Sequence, residues 1–172
     1  MLEITSGQML PKDLARFAGL AAVTAGGMRI VAAAIPYVPD SAELEALYAL
    51  IDLGFLFGTA GIFLAVWPRV GVFGAIGAGL LMAGVASIVG PDAVFHGVDM
   101  YQAGLGVIAL GSAVFAVALL RTGQFELTSW AWIAAAVLGI GGTVAALPEL
   151  GMLAGAVFGF AYLVAGIRLM RG

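Results

Sequence analysis

Six apolar runs constrain this chain more than any other feature, each near the ~20 residues that an α-helix needs to cross a bilayer. They fall at about 14–35, 45–67, 70–89, 98–120, 129–147 and 150–170. None has the polar face that a helix at the surface of a soluble protein turns to water. Composition agrees: 63% of the 172 residues are hydrophobic and 10% are charged, against about a quarter charged in ordinary globular domains. The expected fold is an all-α integral membrane protein, a six-transmembrane-helix bundle forming one domain over residues 1–172.

Turn residues separate the runs: Pro36 and Pro39, Trp67-Pro68, Gly90-Pro91, Arg121-Thr122-Gly123 and Pro148. Connections this short make successive helices antiparallel neighbours. Lys12 and Arg16 before the first run, with Ala32-Ala33-Ala34 at its end, resemble a signal peptide and its cleavage site. Arg29 interrupts that run, so a retained helix is expected instead.

Lys and Arg set the orientation. With the N-terminus inside, Lys12, Arg16, Arg69, Arg121, Arg168 and Arg171 are all cytoplasmic, and the outer loops carry Asp40, Glu43, Asp92 and Glu149. Both termini are therefore expected in the cytoplasm, with the protein in the plasma (inner) membrane. Trp67, Trp130 and Trp132 are expected at the inner interface, and Tyr37, Tyr48 and Tyr101 at the outer one.

Arg29 and Asp52 are the two charges inside the spans. Arg29 lies six residues before Ile35 and Asp52 seven after Glu45, which puts both roughly 10 Å below the outer helix ends at ~1.5 Å per residue. An isolated charge at this depth costs on the order of 3 kcal/mol, so a contact between them is expected, direct or through one water. Tyr48 lies one turn above Asp52 on the same face. His96, Asp99, Tyr101 and Gln102 gather at the outer start of the fourth helix. The candidate ligand-binding set is Arg29, Tyr48, Asp52, His96, Asp99, Tyr101 and Gln102. Two readings stand side by side: an outward-facing pocket floored by Arg29 and Asp52, or a structural staple of the first hairpin.

Glycines at four-residue spacing let helix backbones approach. Gly151, Gly155 and Gly159 form such a face on helix six, Gly54 and Gly58 on helix two, and Gly71, Ala75 and Gly79 on helix three. They serve packing within the chain, or docking of a partner subunit or second copy through Gly151, Gly155 and Gly159. Pro68-Arg-Val-Gly71 and Pro148-Glu-Leu-Gly151 open helices three and six alike, which makes a weak 3+3 inverted repeat a candidate organisation.

Several chemistries drop out. The chain has no cysteine, and its one lysine, Lys12, lies outside the spans, where it cannot form a retinal Schiff base. A single histidine argues against bis-histidine haem and ordinary zinc sites, so no metal or cofactor is expected. Gly104-x-Gly106-x-x-Ala109 sits inside an apolar span rather than after a strand and carries no nucleotide-binding meaning. No basic patch points to nucleic acid. The segments around Asp52 and Asp99 lack the Gly-x-Gly-Asp pattern of intramembrane aspartyl proteases.

Three functions remain. The first is binding or transport of a small polar solute, Arg29 meeting its anionic group. In size and topology the chain resembles the substrate-binding subunits of energy-coupling-factor vitamin transporters, a resemblance of architecture that implies an outward site and involves no shared motif. The second is a non-catalytic accessory subunit or assembly factor of a membrane complex. The third, and least favoured, is an intramembrane enzyme acting on a lipid or lipid-linked substrate, with Asp52 or Asp99 as acid or base; a lipid headgroup is then the partner in place of a polar solute.

Overall fold

A computed structural model describes residues 10–35, 38, 41–89 and 94–171. Pro36, Tyr37, Pro39, Asp40 and the Gly90-Pro91-Asp92 link lie outside the described residues. The elements are α1 (Lys12–Ala32), α2 (Ala42–Val66), α3 (Gly71–Ile88), β1 (Val94–Phe95), β2 (Val98–Asp99), α4 (Met100–Arg121), α5 (Glu126–Ala145) and α6 (Pro148–Arg171). All six helices are long and apolar enough to cross a membrane, and the chain is a multi-pass membrane protein in contact with lipid. Its outward side chains agree, with Leu20, Val72 and Val144 exposed.

Local chemistry sets the helix ends. Ser41 starts α2 by accepting a bond from the Leu44 N–H, three residues ahead of the boundary that hydrophobicity alone suggests. Before Pro36, α1 tightens: Ala34 N–H bonds Val31 O and Ile35 N–H bonds Ala32 O, the three-residue spacing that closes a helix. The Asp99 carboxylate caps α4 on the Gln102 N–H at 3.0 Å. Ahead of that cap lies a small β-hairpin not expected from the sequence, with Val94 paired to Asp99 and Phe95 to Val98. Its two-residue turn, His96-Gly97, has positive φ at both positions (50° and 80°), the conformation that matches the twist of a tight hairpin.

The helices form a ring in sequence order, closed by α6 against α1, and α2 also reaches α6 across the centre. The tightest seams are α3 with α4 and α1 with α6. Both are built on glycines seven residues apart: Gly77 and Gly84 with Gly104 and Gly111 in one, Gly19 and Gly26 with Gly159 and Gly166 in the other. A Cβ on Gly77 would stand 2.8 Å from the Phe115 Cα, and one on Gly84 2.7 Å from the Ile108 nitrogen. A Cβ on Gly159 would stand 2.8 Å from the Gly26 carbonyl oxygen. These helices touch backbone to backbone. Seven-residue spacing holds two helices in contact along a left-handed winding. The α1–α2 seam follows suit, Gly54, Gly58 and Gly61 facing Ala25, Ala22 and Ala18.

Around the middle of the ring stands an aromatic cluster from four helices: Phe55 and Phe63 (α2), Phe115 (α4), Trp132 (α5), Phe158 and Tyr162 (α6). Trp132 corrects an expectation. It is fully buried, stacked on Phe115 at 5.7 Å and edge-on to Tyr162 at 5.4 Å, rather than at a membrane interface. The expected small face of α3 also changes. Gly71 and Gly79 have nothing within 4 Å, and the packed face is Gly74, Gly77, Ala78 and Gly84.

This division of the glycines is testable. Gly26→Ala should lower stability by about 1–3 kcal/mol, because a methyl at a closed backbone contact forces the helices apart. Gly79→Ala, into open space, should be neutral or stabilising. Reversible unfolding in mixed detergent micelles, followed by circular dichroism, separates the two.

Candidate functional site

Arg29 sits in the last turn of α1, where a cation complements the helix dipole. Its side chain lies along α6 on two glycines. A Cβ on Gly155 would stand 2.7 Å from the guanidinium carbon, and a Cβ on Gly159 3.0 Å from the Arg29 Cβ. Those glycines are thus a bed for Arg29, and Gly159 also meets the α1 backbone. Two of the three glycines expected to dock a partner are engaged within the chain, and Gly151 alone has nothing within 4 Å. Above the guanidinium stands the Tyr48 ring, its centroid 5.6 Å from Cζ, in cation–π range.

Asp52 faces the interior from α2 with 8% of its surface exposed. The pairing of Gly54 with Ala25 sets Asp52 about level with Gly27 and Met28, within a turn of Arg29. The two charges act on one another electrostatically; of the two contacts expected from the sequence, direct or through one water, the direct ion pair is not formed. Arg29 leans onto the α6 glycines instead. Among the described residues neither side chain has a hydrogen bond or an ion pair. Among the described residues, the Trp132 indole nitrogen is a fully enclosed side-chain polar atom without a partner.

Two helical turns deeper lies a polar contact that sequence reasoning missed. Thr59, fully buried, donates its hydroxyl proton to the Phe55 carbonyl at 2.8 Å, and the Tyr162 hydroxyl, 2.5 Å away, donates to the Thr59 oxygen. Thr59 has a single proton and the carbonyl takes it, which fixes Tyr162 as donor. This bond ties α2 to α6 two turns below Asp52. The signal was faint: one Thr and one Tyr in apolar runs, 103 residues apart.

The α4 candidates lie elsewhere in the ring. His96, Asp99, Tyr101 and Gln102 are exposed, and α4 packs chiefly on α3 and α5. Asp99 uses an oxygen to cap its own helix. With α3 between their helices and one carboxylate exposed while the other is buried, Asp52 and Asp99 do not make a catalytic dyad. Among the described residues no three His, Asp or Glu side chains converge on a metal-sized space. Two clefts stand out, neither of them at Arg29 and Asp52. One, of about 320 Å³, runs along the lipid-facing side of α1 and α2 from Phe17 to Met28. The other, of about 300 Å³, lies at the end of α6 between Arg168 and Arg171.

The Thr59–Tyr162 bond should be energetically coupled. In a double-mutant cycle, Thr59→Val with Tyr162→Phe should show about 0.6 kcal/mol, at most about 1.7, the range measured for interhelical bonds in lipid. Additive effects of the two substitutions on unfolding in micelles would mean the hydroxyls do not stabilise one another.

No protein-family model matches the chain, and no curated protein or solved structure matches it either, so its function has to be argued from the site itself.

Proposed function

We propose that this multi-pass membrane protein binds a small polar solute, most readily a zwitterion, at the acidic end of the bundle. Arg29 receives the anionic group and Asp52 the cationic or donor group. The observation that carries the reading is the state of those two residues. They are opposite charges at about one level inside a membrane bundle, bonded neither to each other nor to another described residue. An intramembrane ionisable residue is costly, and ordinarily a partner offsets the cost. Here neither charge has such a partner among the described residues, and a molecule carrying both charges would supply one to each. The Gly155–Gly159 bed and the Tyr48 ring hold the guanidinium in place before any ligand arrives, which lowers the entropy lost on binding.

The site opens outward in this proposal, with both termini cytoplasmic in the plasma membrane. Supporting this, Lys12, Arg16, Arg69, Arg121, Arg168 and Arg171 all lie at or near helix ends of one side of an alternating ring. His96, Asp99, Tyr101 and Gln102 belong to the opposite, acidic rim and would meet a solute on its way in. A weak 3+3 inverted repeat is part of the proposal too. It would make α3–α4 the counterpart of α6–α1, and these are the two seams with paired glycines seven apart.

The test is a ligand-dependent shift in stability. Detergent-solubilised protein should be stabilised by amino acids or betaines, and not by the matching simple acids or amines alone. The shift amounts to about 2.7 kcal/mol at a hundredfold excess over Kd. Arg29→Ala and Asp52→Asn should each abolish it while leaving the protein folded. A panel without a single stabilising zwitterion, or variants that respond like the parent, would sink the proposal.

A further inference from the structure

The cationic end of the bundle contains a second feature, separate from the Arg29 site. The cleft at the end of α6 is lined by Val164, Ile167, Arg168 and Arg171. These residues recur three, four and seven apart, one face of one helix. Two guanidiniums therefore stand above two aliphatic side chains, cationic at the rim and apolar toward the middle of the membrane.

Arg168 is not a loose surface arginine. Its Cζ lies 4.7 Å from the centroid of the Phe125 ring, and its Nη2 donates to Gln124 Oε1 at 3.4 Å. Phe125 is itself fixed, 5% exposed and in the left-handed conformation (φ 50°) that turns the chain into α5. The position before α5 has no side-chain cap, so the first N–H groups of that helix keep their positive end beside Arg168. Glu126, in the adjoining first turn, is exposed and is not ion-paired to either arginine. Across the seam, Gly19 packs on Gly166 and Met170, which brings Arg16 about level with Leu169 and adds positive charge at the same height.

We infer that this cleft is a binding site for an anionic phospholipid. Arg168 and Arg171 hold the headgroup phosphate, and an acyl chain runs along Ile167 and Val164. A planar guanidinium that stacks on an aromatic ring can still present its free edge to phosphate oxygens. The aliphatic floor favours a lipid over free phosphate, because an inorganic ion leaves Val164 and Ile167 without a partner.

Native mass spectrometry of the full chain, released from detergent with equal amounts of phosphatidylglycerol and phosphatidylcholine, tests this. The parent should retain phosphatidylglycerol preferentially, and R168Q/R171Q should reduce that retention roughly tenfold, since each cation near an anionic lipid contributes appreciably. R69Q/R121Q, which removes the same charge from the same end, should keep the preference. Equal retention of both lipids by the parent would overturn the site, as would an equal loss in the two double variants. So would displacement of phosphatidylglycerol by millimolar inorganic phosphate alone, which would make the cleft a site for the free ion. If R168Q/R171Q does not fold, raising salt on the parent decides: retention must fall with ionic strength, and salt-independent retention would refute a phosphate contact.

Discussion

Everything in this structure depends on how closely its helices can approach. Lipid tails are as apolar as leucine, so burying apolar side chains gives membrane helices little reason to associate. Dispersion contact and close backbone approach must hold them together instead, and glycine makes both available. Gly19, Gly26, Gly159 and Gly166 bring α1 onto α6, and Gly77, Gly84, Gly104 and Gly111 bring α3 onto α4, with gaps too small for a Cβ. Each seam has a glycine pair face to face, Gly26 with Gly159 and Gly84 with Gly104, and each also packs glycines on larger residues, Met170, Leu163 and Val23 in the first and Phe115, Ile108, Leu81 and Ile88 in the second. Arg29 lies along the first, on Gly155 and Gly159.

Close seams also set heights. Once Gly54 meets Ala25 and Gly159 meets Gly26, the levels of Asp52, Arg29 and Gly155 follow without adjustable parts. The Thr59–Tyr162 bond and the aromatic cluster beneath them fill the centre where α2 reaches α6. That filling matters for the site above it. In the proposed site, a ligand would approach the two charges from the side away from this aromatic floor.

Much of this was legible in the sequence. Span length and apolarity made six helices plain, because a bilayer demands both. The common depth of Arg29 and Asp52 could be counted from turn residues, although the helix ends used in that count were displaced. Ser41 and Asp99 are ordinary capping residues, and their side-chain bonds moved two starts by two or three residues. Partnership was less legible. Nothing in a linear spacing says that Gly155 and Gly159 accommodate Arg29 rather than another chain, because that depends on which neighbour closes the ring. Trp132 misled for a related reason: tryptophan near a span end suits an interface, but its face is set by packing. The hairpin before α4 rests on two positive φ angles, one of them at His96, a residue type with no strong turn signature.

The missing Arg29–Asp52 bond is informative for an energetic reason. Had the pair closed, the two charges would have offset one another and the residues would need no further explanation. Arg29 has the reach to turn toward α2, and at one level the attraction between the charges favours closing. Competing with that is the α6 surface, where Gly155 and Gly159 offer the long side chain a continuous bed and Tyr48 offers its ring. In the proposed solute site that bed has a use: it would hold the guanidinium apart from the carboxylate, so that a ligand carrying both charges could meet each of them.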